Sequence, residues 1–209
     1  MTAYVRSYRR ELGRDKSREL LAEAERLALR AQALDERSGA LYNALSSIAD
    51  SRGDAEGALR HSEAAVSVDP RNPETHANLA NAYALAGQND NALTSFSKAL
   101  ELYPPGDEVL FFNLAWLHAQ MGNPAETIAA ADRAIALNTP LPDPYALRAI
   151  AYSIKGEAEA NRAAAEEFKR RFPGLTAAEM YPPPPPPWSR ITKFRQEVLV
   201  PAWHKAGLP

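Results

Sequence analysis

The chain has 209 residues, 45% hydrophobic and 24% charged, with a formal net charge of -2 and a pI of about 6.1. This is the composition of a folded domain and not of a disordered chain. It lacks the basic excess that nucleic-acid binding selects, and the absence of cysteine excludes disulfides and thiolate metal sites. No stretch approaches the roughly 20 apolar residues needed to span a bilayer. The opening MTAYVRSYRRELGRDK carries basic residues with no apolar core behind them, so no secretory leader is expected and a cytoplasmic location is.

From the N-terminus, residues 3–13 read as a short helix with Tyr4, Val5, Tyr8 and Leu12 on one side. Residues 15–36 read as a longer amphipathic helix, with Leu20, Leu21, Ala24, Leu27, Ala28, Ala31 and Leu34 on its apolar face. Arg6, Arg9, Arg10, Arg14, Lys16 and Arg18 gather positive charge here against Glu11 and Asp15. Without interleaved aromatics or a known motif, that pattern reads as a solvated helix face and not as a nucleic-acid site.

From residue 39 onward the chain repeats. Gly53, Gly87, Gly122 and Gly156 are separated by 34, 35 and 34 residues, and Pro70, Pro104 and Pro173 by 34 and 69. The one extra residue falls between Pro104 and Phe111, in the turn PPGDE. Large residues recur at Tyr42, His76, Phe111 and Tyr145, and small ones at Ser46, Ala80, Ala115 and Ala149. A second large column holds Tyr83, His118 and Tyr152, and an alanine column, Ala65, Ala99 and Ala134, breaks at Phe168. A period of this length marks stacked helix pairs. Small residues let the two backbones of a pair approach, glycine turns the chain at positive φ after the first helix, and proline stops the second. A single pair cannot bury its apolar face, so stacking supplies the core.

The stretch NPETHANLANAYALAGQNDNALTSFSKALELYP, residues 72–104, resembles a tetratricopeptide repeat (TPR) through Leu79, Ala80, Tyr83, Gly87, Ala92, Phe96, Ala99 and Pro104. The resemblance implies an all-α TPR solenoid, a right-handed superhelix of antiparallel helix pairs. The expected organisation is a degenerate helix pair over 1–38 and four units at 39–72, 73–107, 108–141 and 142–173. A Pro-rich linker over 174–189 and a capping helix over 190–209 follow. Thr139 stands where proline is usual, and Arg148 and Asn161 occupy columns that usually hold small or apolar residues, which predicts looser packing in the last repeat.

In the C-terminal stretch, Pro182 to Pro187 favour a stiff polyproline II rod. Ser189 is positioned to cap a final helix whose apolar face is Ile191, Phe194, Val198 and Leu199, with Pro201 kinking or restarting it and Gly207 ending it. The order of a final repeat, FPGLTAAEM, a Pro-rich link, a helix and AGLP is similar to the C-terminal TPR region of bacterial class III adenylate/guanylate cyclases and related TPR regulators. That resemblance implies a regulatory or oligomerisation module separate from any cyclase fold, for which the repeats leave no room.

No residue pattern points to catalysis. His61, His76, His118 and His204 lack the spacing of metal ligands, the glycines are isolated, and there is neither a phosphate loop nor a nucleophile motif. No catalytic residue, metal or cofactor is therefore expected. In a TPR array the first helices line the concave face, which nominates Asn43, Ser47, Asn78, Asn81, Phe112, Asn113, Trp116 and Ile150 as peptide-binding residues. The asparagines suit an extended peptide backbone, and Phe112, Trp116 and Ile150 form an apolar patch for an anchor side chain. Lys and Arg are absent from the inward positions, so recognition of an acidic C-terminal tail is not expected. The polyproline stretch beside Trp188 is a candidate to cover Trp116. The expected partner is a protein or peptide, with no nucleic acid and no membrane.

Overall fold

The computed structural model describes residue 19, residues 22–28, residue 30, residues 38–182 and residues 190–209. The chain divides into two compact units, Met1–Gly106 and Asp107–Pro209. Every regular element among the described residues is helical.

Unit 1 contains α1 (Gly39–Arg52), α2 (Ala55–Val68), α3 (Pro73–Ala86) and α4 (Asn89–Leu102). α1 packs on α2, α3 on α4, and α3 also meets both α1 and α2. Helix starts are set by side chains that accept orphan amides: Ser38 from Leu41, Asp54 from Gly57 and Asn72 from Glu74. The small column lets α1 and α2 approach. The Ser46 hydroxyl reaches the Ala58 carbonyl at 3.2 Å and the Ser62 hydroxyl at 2.6 Å, all buried.

The helical residues 22–28 place Ala28 in a cluster with Leu41, Leu45 and Ile48. Leu27, expected on the buried stripe, is 51% exposed, so the inward face is rotated from the one the apolar pattern suggests. Arg52 of α1 holds Glu25 by a pair of hydrogen bonds. The expected helix over 3–13 and the basic residues from Arg6 to Arg18 lie outside the described residues.

Unit 2 contains α5 (Glu108–Met121), α6 (Pro124–Ala136), α7 (Pro142–Lys155) and α8 (Ala158–Arg171), then the short α9 (Ala177–Met180). The last helix begins as α-helix at Arg190–Lys193, widens to a π-helical turn at Phe194–Leu199 and returns to α-helix at Val200–Lys205. Pro201 stands in the first turn of the α segment that resumes at Val200, and because it has no N–H, the Glu197 carbonyl has no donor four residues on. The Val200 amide donates instead to Arg195, five residues back.

The first helices of all four pairs end alike. Gly53, Gly87, Gly122 and Gly156 lie at φ of 77°, 82°, 73° and 76°. At Gly122 the glycine amide bonds Ala119 O and the next amide bonds His118 O, which returns two orphan carbonyls to partnership.

Where the repeat columns depart from their pattern, the last pair is tied down rather than loosened. Asn161 Nδ2 donates to Ala149 O at 3.0 Å and to Ala206 O at 3.2 Å. Arg148 bridges Asp132 and Glu167 with its side chain only 14% exposed. Phe168 replaces the alanine of earlier repeats and meets Trp203 of the last helix nearly perpendicularly, ring centres 5.1 Å apart. Both rings are fully buried. The C-terminal helix thus caps the final pair, as repeat arrays require.

Candidate functional site

On unit 1, the nominated residues sit on the first helices of two successive pairs. Asn43 is buried and donates from Nδ2 to Thr75 Oγ1 at 3.2 Å, so its amide links α1 to α3. Ser47 donates its hydroxyl back to Asn43 O at 3.0 Å, a bond within the helix. Asn78 and Asn81, three residues apart, share one face of α3 and are half-buried. Asn43 Oδ1 and Asn78 Nδ2 are enclosed without a hydrogen-bond partner. An unsatisfied buried polar group costs about 1–3 kcal/mol, and native structures hold few of them.

On unit 2, the nominated apolar residues are covered. Phe112 is 1%, Trp116 6% and Ile150 4% exposed, while Asn113 is half-buried. Phe112 and Trp116 lie one turn apart on α5 with ring centres at 6.4 Å. Tyr181 stands 5.9 Å from the Trp116 ring and Phe194 5.8 Å from it, the latter at 85°. The Arg195 guanidinium lies 5.3 Å from the centre of the same ring, a cation–π contact.

Tyr181, directly before the polyproline stretch, and Phe194 and Arg195 of the last helix therefore meet Trp116. Of that stretch only Pro182 is described, and it is exposed. Tyr181 is fixed by three further contacts. Its hydroxyl donates to Asp143 Oδ1 at 2.8 Å, its carbonyl accepts from Gln196 Nε2 at 2.7 Å, and its ring meets Trp203 at 6.1 Å. An aromatic series thus runs from Phe112 through Trp116, Tyr181 and Trp203 to Phe168.

The sequence reading missed Tyr181 and Trp203. The signal available was the break of the alanine column at Phe168, which leaves a large ring needing a large neighbour. Val198, expected on the apolar face of the last helix, is 53% exposed, and Leu199 and Trp203 take the inward side. In an α-helix, residues five apart point about 140° away from each other. The wider π turn brings Phe194 and Leu199 nearer to one side.

Among the described residues, no group of three or more histidine and carboxylate side chains could hold a metal ion, and no helix is long and apolar enough to cross a membrane. His76 Nε2 pairs with Pro70 O at 2.8 Å, and His118 is half-buried with its pKa lowered chiefly by burial, against the pull of the Glu126 carboxylate.

Comparison with known proteins agrees with this architecture. Residues 73–104 match the tetratricopeptide repeat family. No curated protein sequence matches the chain significantly. Among solved structures, PilF of Pseudomonas aeruginosa superposes with a TM-score of 0.66 at 19% identity, over 97% of this chain and 90% of that one. YrrB, described as a TPR protein with an unusual peptide-binding site, gives a TM-score of 0.60 at 18% identity, covering 86% and 90%. The MamA protein gives 0.58 at 24% identity, covering 80% and 89%. Residues 73–104 are a tetratricopeptide repeat, and the helix pairs around them have the TPR solenoid fold.

Proposed function

We propose that this chain is a non-catalytic TPR scaffold that binds an extended peptide or protein segment through its first-helix face, with Asn78 and Asn81 of unit 1 as the polar contacts. The observation that carries this reading is the pair of half-buried amides, Asn78 and Asn81, one turn apart on one face of α3. An asparagine amide both donates and accepts, which matches the alternating groups of a peptide backbone. Asn43 and Ser47 then act as the wall behind the site, since their side-chain donors are already engaged. The description of YrrB as a protein with a peptide-binding site supports the same class of function. Phe112 and Trp116 form a second seat on unit 2, where Phe194 and Arg195 of the chain's own C-terminal segment meet the Trp116 ring; Asn113 and Ile150 are assigned to the same seat by their place on the first helices.

The test is selection of binders from a random-peptide display library on the intact chain, followed by affinity measurement against Asn78→Ala/Asn81→Ala. Loss of two hydrogen bonds of about 1 kcal/mol each predicts a fall of roughly 30-fold. Equal affinity of the folded double variant would remove this face from consideration.

A second reading, a regulatory or oligomerisation module of a bacterial cyclase or transcription-regulator system, is favoured by the order of FPGLTAAEM, Pro-rich link, helix and AGLP. A neighbouring gene encoding a cyclase or DNA-binding domain without its own TPR tail would support it. A concentration-dependent shift in mass by light scattering would test the oligomerisation arm.

A further inference from the structure

The C-terminal helix is held unevenly along its length. Its distal part is built into unit 2: Leu199, Trp203, Ala206 and Leu208 are all at most 5% exposed, and Ala206 O accepts from Asn161. The proximal part, residues 190–198, lies across Trp116 instead. There no described side chain is fully buried: Ile191, Thr192, Phe194, Arg195 and Gln196 are half-buried, Lys193 and Glu197 are exposed, and Val198 is 53% exposed. The hydrogen bond of Gln196 to Tyr181 O ties this part to the segment before the prolines. The π turn begins within this proximal part and ends where the buried part begins. An element with exposed side chains next to a buried anchor opens locally at lower free energy than the fold as a whole.

The contacts that residues 190–198 make are also specific in kind. Phe194 and Arg195 are neighbours in sequence, and both meet one indole, the ring nearly perpendicular and the guanidinium 5.3 Å from the ring centre. One aromatic–arginine step in the π turn thus brings a ring and a guanidinium to a single tryptophan. The tryptophan face is electron-rich and attracts a cation, which selects arginine and rejects a carboxylate.

We propose that residues 190–198 are a displaceable in-chain ligand of the Trp116 seat, and that the seat's ligand in trans is a helical segment of a partner protein carrying an aromatic residue followed at once by arginine. This inference rests on the reading of the chain as a peptide-binding scaffold and assigns to its second seat a ligand chemistry and a competitor. A tethered competitor acts at millimolar effective concentration, so a partner binds only in proportion to the fraction of molecules with the seat open. The seat on unit 2 is thereby gated, while the asparagine face of unit 1 is not.

The probe is a fluorescein-labelled peptide of residues 190–200, RITKFRQEVLV, titrated by anisotropy against the full chain and against Phe194→Ala/Arg195→Ala in the full chain. The peptide is expected to bind the double variant at least tenfold more tightly than it binds the unmodified chain. A peptide with the same phenylalanine changed to alanine and the arginine to glutamine is expected to bind the double variant at least tenfold more weakly. Equal affinity of the native peptide for both proteins, no binding to the double variant, or undiminished binding of the altered peptide would each overturn the proposal. Loss of cooperative melting in the double variant would overturn it too, because residues 190–198 would then be part of the fold. The competition is read on unit 2 and is expected to be unchanged in Asn78→Ala/Asn81→Ala, so it stands or falls separately from the peptide site on unit 1.

Discussion

The side-chain amide of Asn161 holds two carbonyls at once, Ala149 O on the preceding helix at 3.0 Å and Ala206 O at the end of the capping helix at 3.2 Å. Asn161 occupies the column of Ala58, Ala92 and Thr127, where the two helices of a pair come closest. Asn161→Ala keeps that close approach and deletes both bonds. A loss of about 1–3 kcal/mol is expected. It should be accompanied by faster hydrogen exchange across residues 199–209 and none across residues 39–102. Thermal melting and exchange mass spectrometry check this pair of outcomes.

Asn78→Ala should act in the opposite direction on stability. The substitution removes an enclosed donor without a partner and places a better helix former on α3. A gain of about 0.5–1 kcal/mol in unfolding free energy is expected, together with weaker peptide binding. Urea melts and the binding titration, run on the same preparation, check both. A loss of stability would mean that the amide is satisfied in solution, by an ordered water for example.

Gly122→Ala isolates the backbone cost of a helix ending. The residue lies at φ of 73°, and an added Cβ meets nothing within 4 Å. The expected destabilisation of about 1–2 kcal/mol therefore comes from the left-handed conformation alone. Gly122→Asn should recover part of it, since asparagine tolerates that region. Equal melting temperatures for the two variants would contradict this account.

Acid should weaken the fold through half-buried imidazoles. Burial lowers the His118 pKa below its ordinary value of 6.5, with Glu126 opposing, and His61 is lowered by burial and Arg60, with Asp54 opposing. The unfolded chain then binds protons more readily than the folded one. Stability is complete above about pH 6.5 and declines as pH falls through that value toward the depressed folded pKa. Urea midpoints measured from pH 8 to pH 5 should fall across that window, and His118→Gln should flatten part of the slope.

The repeat was legible because each of its marker residues has a local cause. Glycine at a positive φ, proline beyond a second helix and a small residue between two backbones need no distant partner to be recognised. Thr139 and the extra residue of the PPGDE turn were readable for the same reason. The tail was not. Tyr181, Phe194 and Trp203 find partners 35 to 78 positions away in sequence order, at Asp143, Trp116 and Phe168, and the repeat columns do not include them. Arg148 and Asn161 were misread as loosening for the same cause, because the groups they bind, Asp132, Glu167 and Ala206, stand outside the repeat pattern. The π turn is invisible to a pattern that assumes 3.6 residues per turn, which is why Val198 was assigned inward and Trp203 was not.

Phe168 also sets how this family of helices can grow. Each earlier pair presents alanine at that position, at Ala65, Ala99 and Ala134, all fully buried. A further pair appended after α8 would meet a phenyl ring already packed edge-to-face on Trp203 where the earlier pairs present a methyl group. Such a pair is therefore expected to pack poorly after α8. Lengthening the array by design is expected to require Phe168→Ala and removal of the helix that carries Trp203.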